Sequence, residues 1–140
     1  VKRLRVFGTA LWLAASNVAA EPANVVVENA WVRAAPPNAK VMAGYLTLRN
    51  QADIPLRLMR VSSPDFKRIE IHQSLNQDGM ARMIALPHLH LAAQGTLRLE
   101  PGGSHLMLIE PTRKLFINRS VTLSIVFGNG SSTNTSMVIK

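Results

Sequence analysis

Apolar and polar residues alternate with a period of two along most of the chain, in short runs separated by Gly, Pro, Asn and Asp. Such alternation is the signature of half-buried β-strands, whose successive side chains point to opposite faces. Residues 25–33 (VVVENAWVR) open the series with a β-branched run whose alternation weakens towards its end, and Trp31 is expected to anchor the core. Residues 34–44 carry two prolines, Asn38 and Gly44, and are expected to form a loop. A second strand is predicted over residues 45–49, with turn residues at 50–53, and a third from Leu56 to about Arg60 before Ser62-Ser63-Pro64.

Residues 68–75 (RIEIHQSL) place Ile69 and Ile71 on one face and Glu70 and His72 on the other. Asp78-Gly79 is a hairpin signal, so residues 80–86 are expected to fold back beside that strand and bring Met83 near His72. Pro87 ends the run, and residues 88–95 (HLHLAAQG) read as a short irregular or extended piece. Further strands are predicted over residues 96–100, 104–110, 121–127 and 133–140. Residues 111–120 read as a polar, basic loop with one buried contact among Leu115, Phe116 and Ile117. Eight or nine short strands with no helical periodicity beyond the first twenty residues predict an all-β fold, an antiparallel Greek-key β-sandwich.

Length and composition add a boundary. At 140 residues with 47% hydrophobic positions, the chain fits a single domain. Residues 1–20 carry Lys2, Arg3 and Arg5 ahead of an apolar run from Val6 to Ala15, and then Val18-Ala19-Ala20. That is the layout of a secretory signal peptide, and the opening Val fits an alternative bacterial start codon. The apolar run is shorter than the roughly 20 residues a membrane-spanning helix needs. The expected organisation is a signal peptide over residues 1–20 and one β-sandwich domain over 21–140. The mature form is expected not to span the membrane and to be a monomer.

Three of the 16 basic residues lie in residues 1–20, against none of the eight acidic ones, so the remainder carries +5. Those charges are dispersed from Arg33 to Lys140, with no dense basic run and few interleaved aromatics, which argues against nucleic-acid binding. The chain has no cysteine. An exported protein of this kind does without disulfides, and any metal ligands it has must tolerate an oxidising compartment, as thioethers do better than free thiolates.

All four histidines and three of the six methionines fall between His72 and Met107. Imidazole and thioether make a soft donor set, suited to copper(I) and poorly suited to calcium or magnesium. The spacing is His72, ten residues, Met83, 21 residues, then His105-Leu106-Met107. On a strand, His105 and Met107 share a face while Leu106 and Leu108 take the other. Taken singly, Met83 and Met107 read as core fillers and His105 as a hydrogen-bonded strand residue; the joint spacing reads as a metal site. Met80 is a spare thioether nearby. His88 and His90, at i and i+2, could hold copper(II) or zinc through nitrogen, or simply decorate the surface.

His-(ten residues)-Met-(21 residues)-His-x-Met is the pattern of the periplasmic copper chaperones known as PCuAC, and this sequence resembles them at all four positions and all three spacings. The likeness extends over AWVRAAPPNAKVMAGYLTLRN, VSSPDFKRIEIH and LEPGGSHLMLI. The resemblance implies a cupredoxin-like sandwich carrying one Cu(I) on a His2Met2 site of His72, Met83, His105 and Met107. It further implies delivery of that copper for cytochrome c oxidase assembly in the periplasm, with Sco-type copper proteins and a cytochrome c oxidase subunit as partners. Family members often have Met or Glu after the first His, where this chain has Gln73, and the His88/His90 pair lies outside the pattern.

Other chemistry is disfavoured. A blue-copper carrier needs a cysteine thiolate, and structural zinc rarely takes methionine. Asn118-Arg119-Ser120, Asn129-Gly130-Ser131 and Asn134-Thr135-Ser136 fit the glycosylation triplet, which arises readily by chance. Ser104 and His105 are adjacent on a strand and point apart, so they make no nucleophile–base pair, and an enzyme is not expected. The alternatives to a chaperone are a copper-sequestering or resistance protein using the same site, or a metal-free binding module in which the four residues scatter.

Overall fold

The computed structural model describes residues 21–140, so the expected signal peptide lies outside the described residues. Ten strands follow one another: β1 (Val25–Val32), β2 (Val41–Asn50), β3 (Leu56–Ser62), β4 (Phe66–Gln77), β5 (Met80–Leu86), β6 (Leu89–Leu91), β7 (Thr96–Leu99), β8 (Ser104–Pro111), β9 (Ser120–Phe127) and β10 (Ser132–Ile139). The all-β sandwich expected from the alternation is what forms.

In hydrogen bonding the strands make one sheet in the order β5-β4-β8-β2-β1-β10-β9-β3-β6, with β7 also paired to β2. The sheet folds over, so that β3 and β4, far apart in that order, touch. Inner-facing residues of both layers close on one core, including Leu46, Leu48, Leu58, Leu106, Leu108, Leu123, Ile125, Phe127 and Met137. β2 stands at the junction: its first half pairs with β8 and its second half with β7. Side-by-side pairing of sequence neighbours is confined to β1–β2, β4–β5 and β9–β10. Of the other connections, that from β7 to β8 stays along one edge of β2, and the rest join strands that do not pair with each other.

Four expectations need correction. Ten strands replace the eight or nine counted, because β6 is a short strand paired to β3 where an irregular piece was expected. The sheet is mixed, since β1 and β10 run parallel; alternation reports which face a residue takes and is silent on strand direction. The predicted loop ends at Lys40, because residues 41–44 already pair with β8. Gly44 is a packing residue there: a Cβ would meet Met137 Cε at 3.2 Å and Leu108 Cδ1 at 3.3 Å.

Trp31 does not anchor the core. A β-bulge between Glu28 and Trp31, with Asn29 at φ 52°, changes the parity of β1, so Val32 turns inward and Trp31 lies on the outer face opposite Tyr45. The same bulge explains why the alternation weakens at this point.

Candidate metal centre

The face that carries the candidate ligands is set by register. β4 pairs with β8 so that His72 stands opposite His105 and Glu70 opposite Met107. β5 is folded onto the other side of β4 by a two-residue turn with both central residues at positive φ, Asp78 at 53° and Gly79 at 75°. That register sets Met83 opposite Ser74 and Ala85 opposite His72. Because residues in register share a face, His72, Met83, His105 and Met107 all project from the outer side of β5-β4-β8. Ile71, Leu106 and Leu108 point into the core instead.

The structure brings the two imidazoles together. Their ring centroids lie 6.1 Å apart with planes at 43°. An imidazole nitrogen binds a metal at about 2.0 Å, which puts two ring centroids at most about 6.3 Å apart around one ion. His72 and His105 therefore stand within reach of a shared ion at a wide angle. Met107 is two residues along β8 from His105. Met83, opposite Ser74, is two register positions from the His72 row on the side away from Met107, on the edge strand, and 60% exposed.

Hydrogen bonds fix which nitrogen each ring offers. His105 is 8% exposed, and its Nδ1 lies 3.1 Å from the Gly103 carbonyl oxygen. That oxygen can only accept, so Nδ1 carries the proton and Nε2 the lone pair. His72 Nε2 lies 2.9 Å from Glu70 Oε2. Its other nitrogen, Nδ1, is buried and has no hydrogen-bond partner among the described residues. A buried polar atom without a partner is costly, and here it faces the same side as three further soft donors. A ring nitrogen held by a carboxylate or a backbone carbonyl, with the opposite nitrogen free, is how metal-bound histidines are oriented.

Glu70 was not singled out by the spacing argument, though the alternation of RIEIH already put it on the face of His72. Its carboxyl is held below the usual carboxylate range, first by the hydrogen bond to His72 and then by that to Arg68, whose Nε lies 2.9 Å from Oε1. The stabilisation from this contact is present above the ordinary carboxylate pKa and is lost as the pH falls through the depressed value. At neutral pH Glu70 is thus an anion beside otherwise neutral donors.

Tyr45 is a second residue the spacing did not reveal. It is 5% exposed although it lies on the outer face, with its ring centroid 6.5 Å from His105 and 4.6 Å from Trp31. Trp31, Tyr45, His105 and His72 form one row across four strands. Arg33 sits over Tyr45 at 5.5 Å and Lys140 over Trp31 at 5.3 Å. Tyr45 walls one side of His105.

Among the described residues no three of His, Cys, Asp and Glu gather as a hard or borderline metal site would require. The donors that do share a face include two thioethers. The arrangement defines an all-β domain with a cross-strand imidazole pair, flanked on the same face by Met107 to one side and Met83 to the other.

Comparison with known proteins gives the family. The family described as "Putative lipoprotein LpqE-like" matches residues 25–139, and the chain belongs to it. Lxx21020 of Leifsonia xyli subsp. xyli, which bears the same lipoprotein description, is 26% identical over 117 residues, 83% of this chain and 69% of its own. RP573 of Rickettsia prowazekii is 32% identical over 87 residues, 61% of this chain and 46% of its own. Among solved structures, CuI-DR1885 from Deinococcus radiodurans is 30% identical, with a TM-score of 0.67 over 89% of this chain and 83% of that one. The copper-bound PCuAC domain of PmoF2 shares the fold, with a TM-score of 0.71 at 21% identity over 85% of this chain and 94% of that one. The resemblance to PCuAC domains read from the sequence is borne out.

Proposed function

We propose that this protein is a periplasmic copper(I) carrier, exported by residues 1–20, that holds one ion on His72, Met83, His105 and Met107 and hands it on. The observation that carries this reading is the cross-strand pair His72 and His105. Each ring is held in the tautomer that offers a lone pair, one of those nitrogens is buried with no partner among the described residues, and two thioethers share the face. The copper-bound states of PmoF2 and DR1885 named in their descriptions support copper as the ion. Thioether and imidazole together favour copper(I) over harder ions.

The ligand set suits a carrier. Four neutral donors leave the ion its charge, and the Glu70 carboxylate offsets it from beside His72. Without a thiolate the ion is held firmly yet remains exchangeable. Met83 is the exposed donor on an edge strand, so it is the ligand an incoming partner replaces first. The acceptors are thiol-bearing Sco-type proteins and a cytochrome c oxidase subunit, since thiolates bind copper(I) more strongly than thioethers and set the direction of transfer. The reading is tested by competition titration of the purified protein with copper(I) against a colorimetric chelator. One equivalent should bind, and His72→Ala or His105→Ala should abolish tight binding; unchanged affinity in both variants refutes it. Loss of oxidase activity on deletion of the gene, restored by copper supplementation, is expected of a carrier serving the oxidase and not of a sequestering protein.

A further inference from the structure

His88 and His90 lie outside the cluster described above. β6 is the last strand in the sheet order and, among the described residues, pairs on one side only, with β3. Leu91 is 1% exposed and Leu89 packs partly against the core. The alternation that turns these leucines inward turns His88 and His90 to the opposite side. Their rings stand 5.3 Å apart between centroids, at 89° to each other.

That spacing has a chemical meaning. With metal–nitrogen bonds of about 2.0 Å, two imidazoles bound to one ion at roughly tetrahedral angles have centroids about 5 Å apart. The rings now stand edge to face, so sharing an ion requires them to turn about their side-chain bonds. The remaining positions on the ion are open to water. We infer that His88 and His90 form a second metal site, made of two nitrogens, for a divalent transition ion.

The donor set selects the ion. Imidazole without sulfur suits copper(II), nickel(II) and zinc(II), and the general affinity order places copper(II) highest. The site is therefore complementary in oxidation state to the thioether-bearing cluster on β4, β5 and β8. Arg57, the cross-strand partner of His90, puts a cation beside the pair and weakens it, which keeps the site readily exchangeable. The two sites are joined by a short stretch of chain, since β5, which carries Met83, leads through Pro87 directly to His88.

The test is titration of the purified protein with copper(II) against glycine as competitor, with electron paramagnetic resonance on the loaded form. One equivalent should bind with nitrogen couplings in the spectrum. His88→Asn with His90→Asn should weaken copper(II) at least tenfold while leaving copper(I) affinity and the circular dichroism spectrum unchanged. His90→Asn alone should give most of that loss, Arg57→Ala should tighten copper(II), and His72→Ala with His105→Ala should leave it unchanged. Zinc(II) should bind more weakly than copper(II). If the His88/His90 double variant binds copper(II) as well as the parent, or if the His72/His105 double variant abolishes it, the inference is overturned. Because copper(I) is measured separately, neither outcome bears on the carrier reading.

Discussion

Glu70 is the residue on which the offered nitrogen of His72 depends. Its carboxylate accepts the Nε2 proton and leaves Nδ1 as the donor. Glu70→Ala is expected to lower copper(I) affinity by about tenfold to a hundredfold, the usual cost of losing such an orienting partner. Glu70→Gln, which keeps an accepting oxygen, should recover part of the loss. Chelator competition on both variants checks this. Met107→Ala should weaken copper(I) by at least about tenfold, no less than an orienting partner, with an unchanged thermal midpoint, because that side chain lies on the outer face and fills no core space. Equal affinity to the parent would remove Met107 from the site. At this scale the face was legible in advance: alternation put His105 and Met107 on one side of their strand, and the register does so too. Glu70 shared the face of His72 by alternation, but the donor spacing passed over it because a carboxylate is not a soft donor; Tyr45 was hidden because its place beside His105 depends on cross-strand register, which a single sequence does not display.

At the scale of elements, the β4–β5 hairpin sets where Met83 stands. Gly79 has φ of 75° and nothing within 4 Å of a notional Cβ, so only backbone conformation resists substitution there. Gly79→Val should cost about 1–2 kcal/mol and loosen copper(I) by shifting β5, whereas Gly79→Asn should be milder. Urea denaturation and the same titration separate the two effects. The turn joining β3 to β4 is held differently. Asp65, 8% exposed, accepts from Arg113 Nε at 2.6 Å and from the Thr122 amide at 3.0 Å, tying that turn to the chain after β8 and to β9. Asp65→Ala leaves those donors unpaired and is expected to destabilise by about 1–3 kcal/mol, read as a lower denaturation midpoint with copper(I) affinity retained. The hairpin was plain from Asp78-Gly79. The bulge that reverses Trp31 was visible only as faltering alternation, and Gly44 looked like a breaker because a sequence does not show how closely Met137 and Leu108 approach it.

For the whole molecule, the sandwich was legible from the number and length of alternating runs, and the parallel pairing of β1 with β10 was not. Parallel contacts join segments remote in sequence, here the first strand and the last, and leave no local mark. The folded-over sheet has a functional consequence. It commits inner faces to the core and leaves the outer face of β5-β4-β8 to hold two imidazoles, two thioethers and one carboxylate at a surface a partner can reach. The central claim is that this face is a single copper(I) site of mixed sulfur and nitrogen donors. X-ray absorption on the protein loaded with one equivalent of copper(I) tests it most directly. A first shell of both nitrogen and sulfur, losing nitrogen in His72→Ala and sulfur in Met107→Ala, is the predicted result. A shell of nitrogen and oxygen alone, or one indifferent to both substitutions, would contradict it.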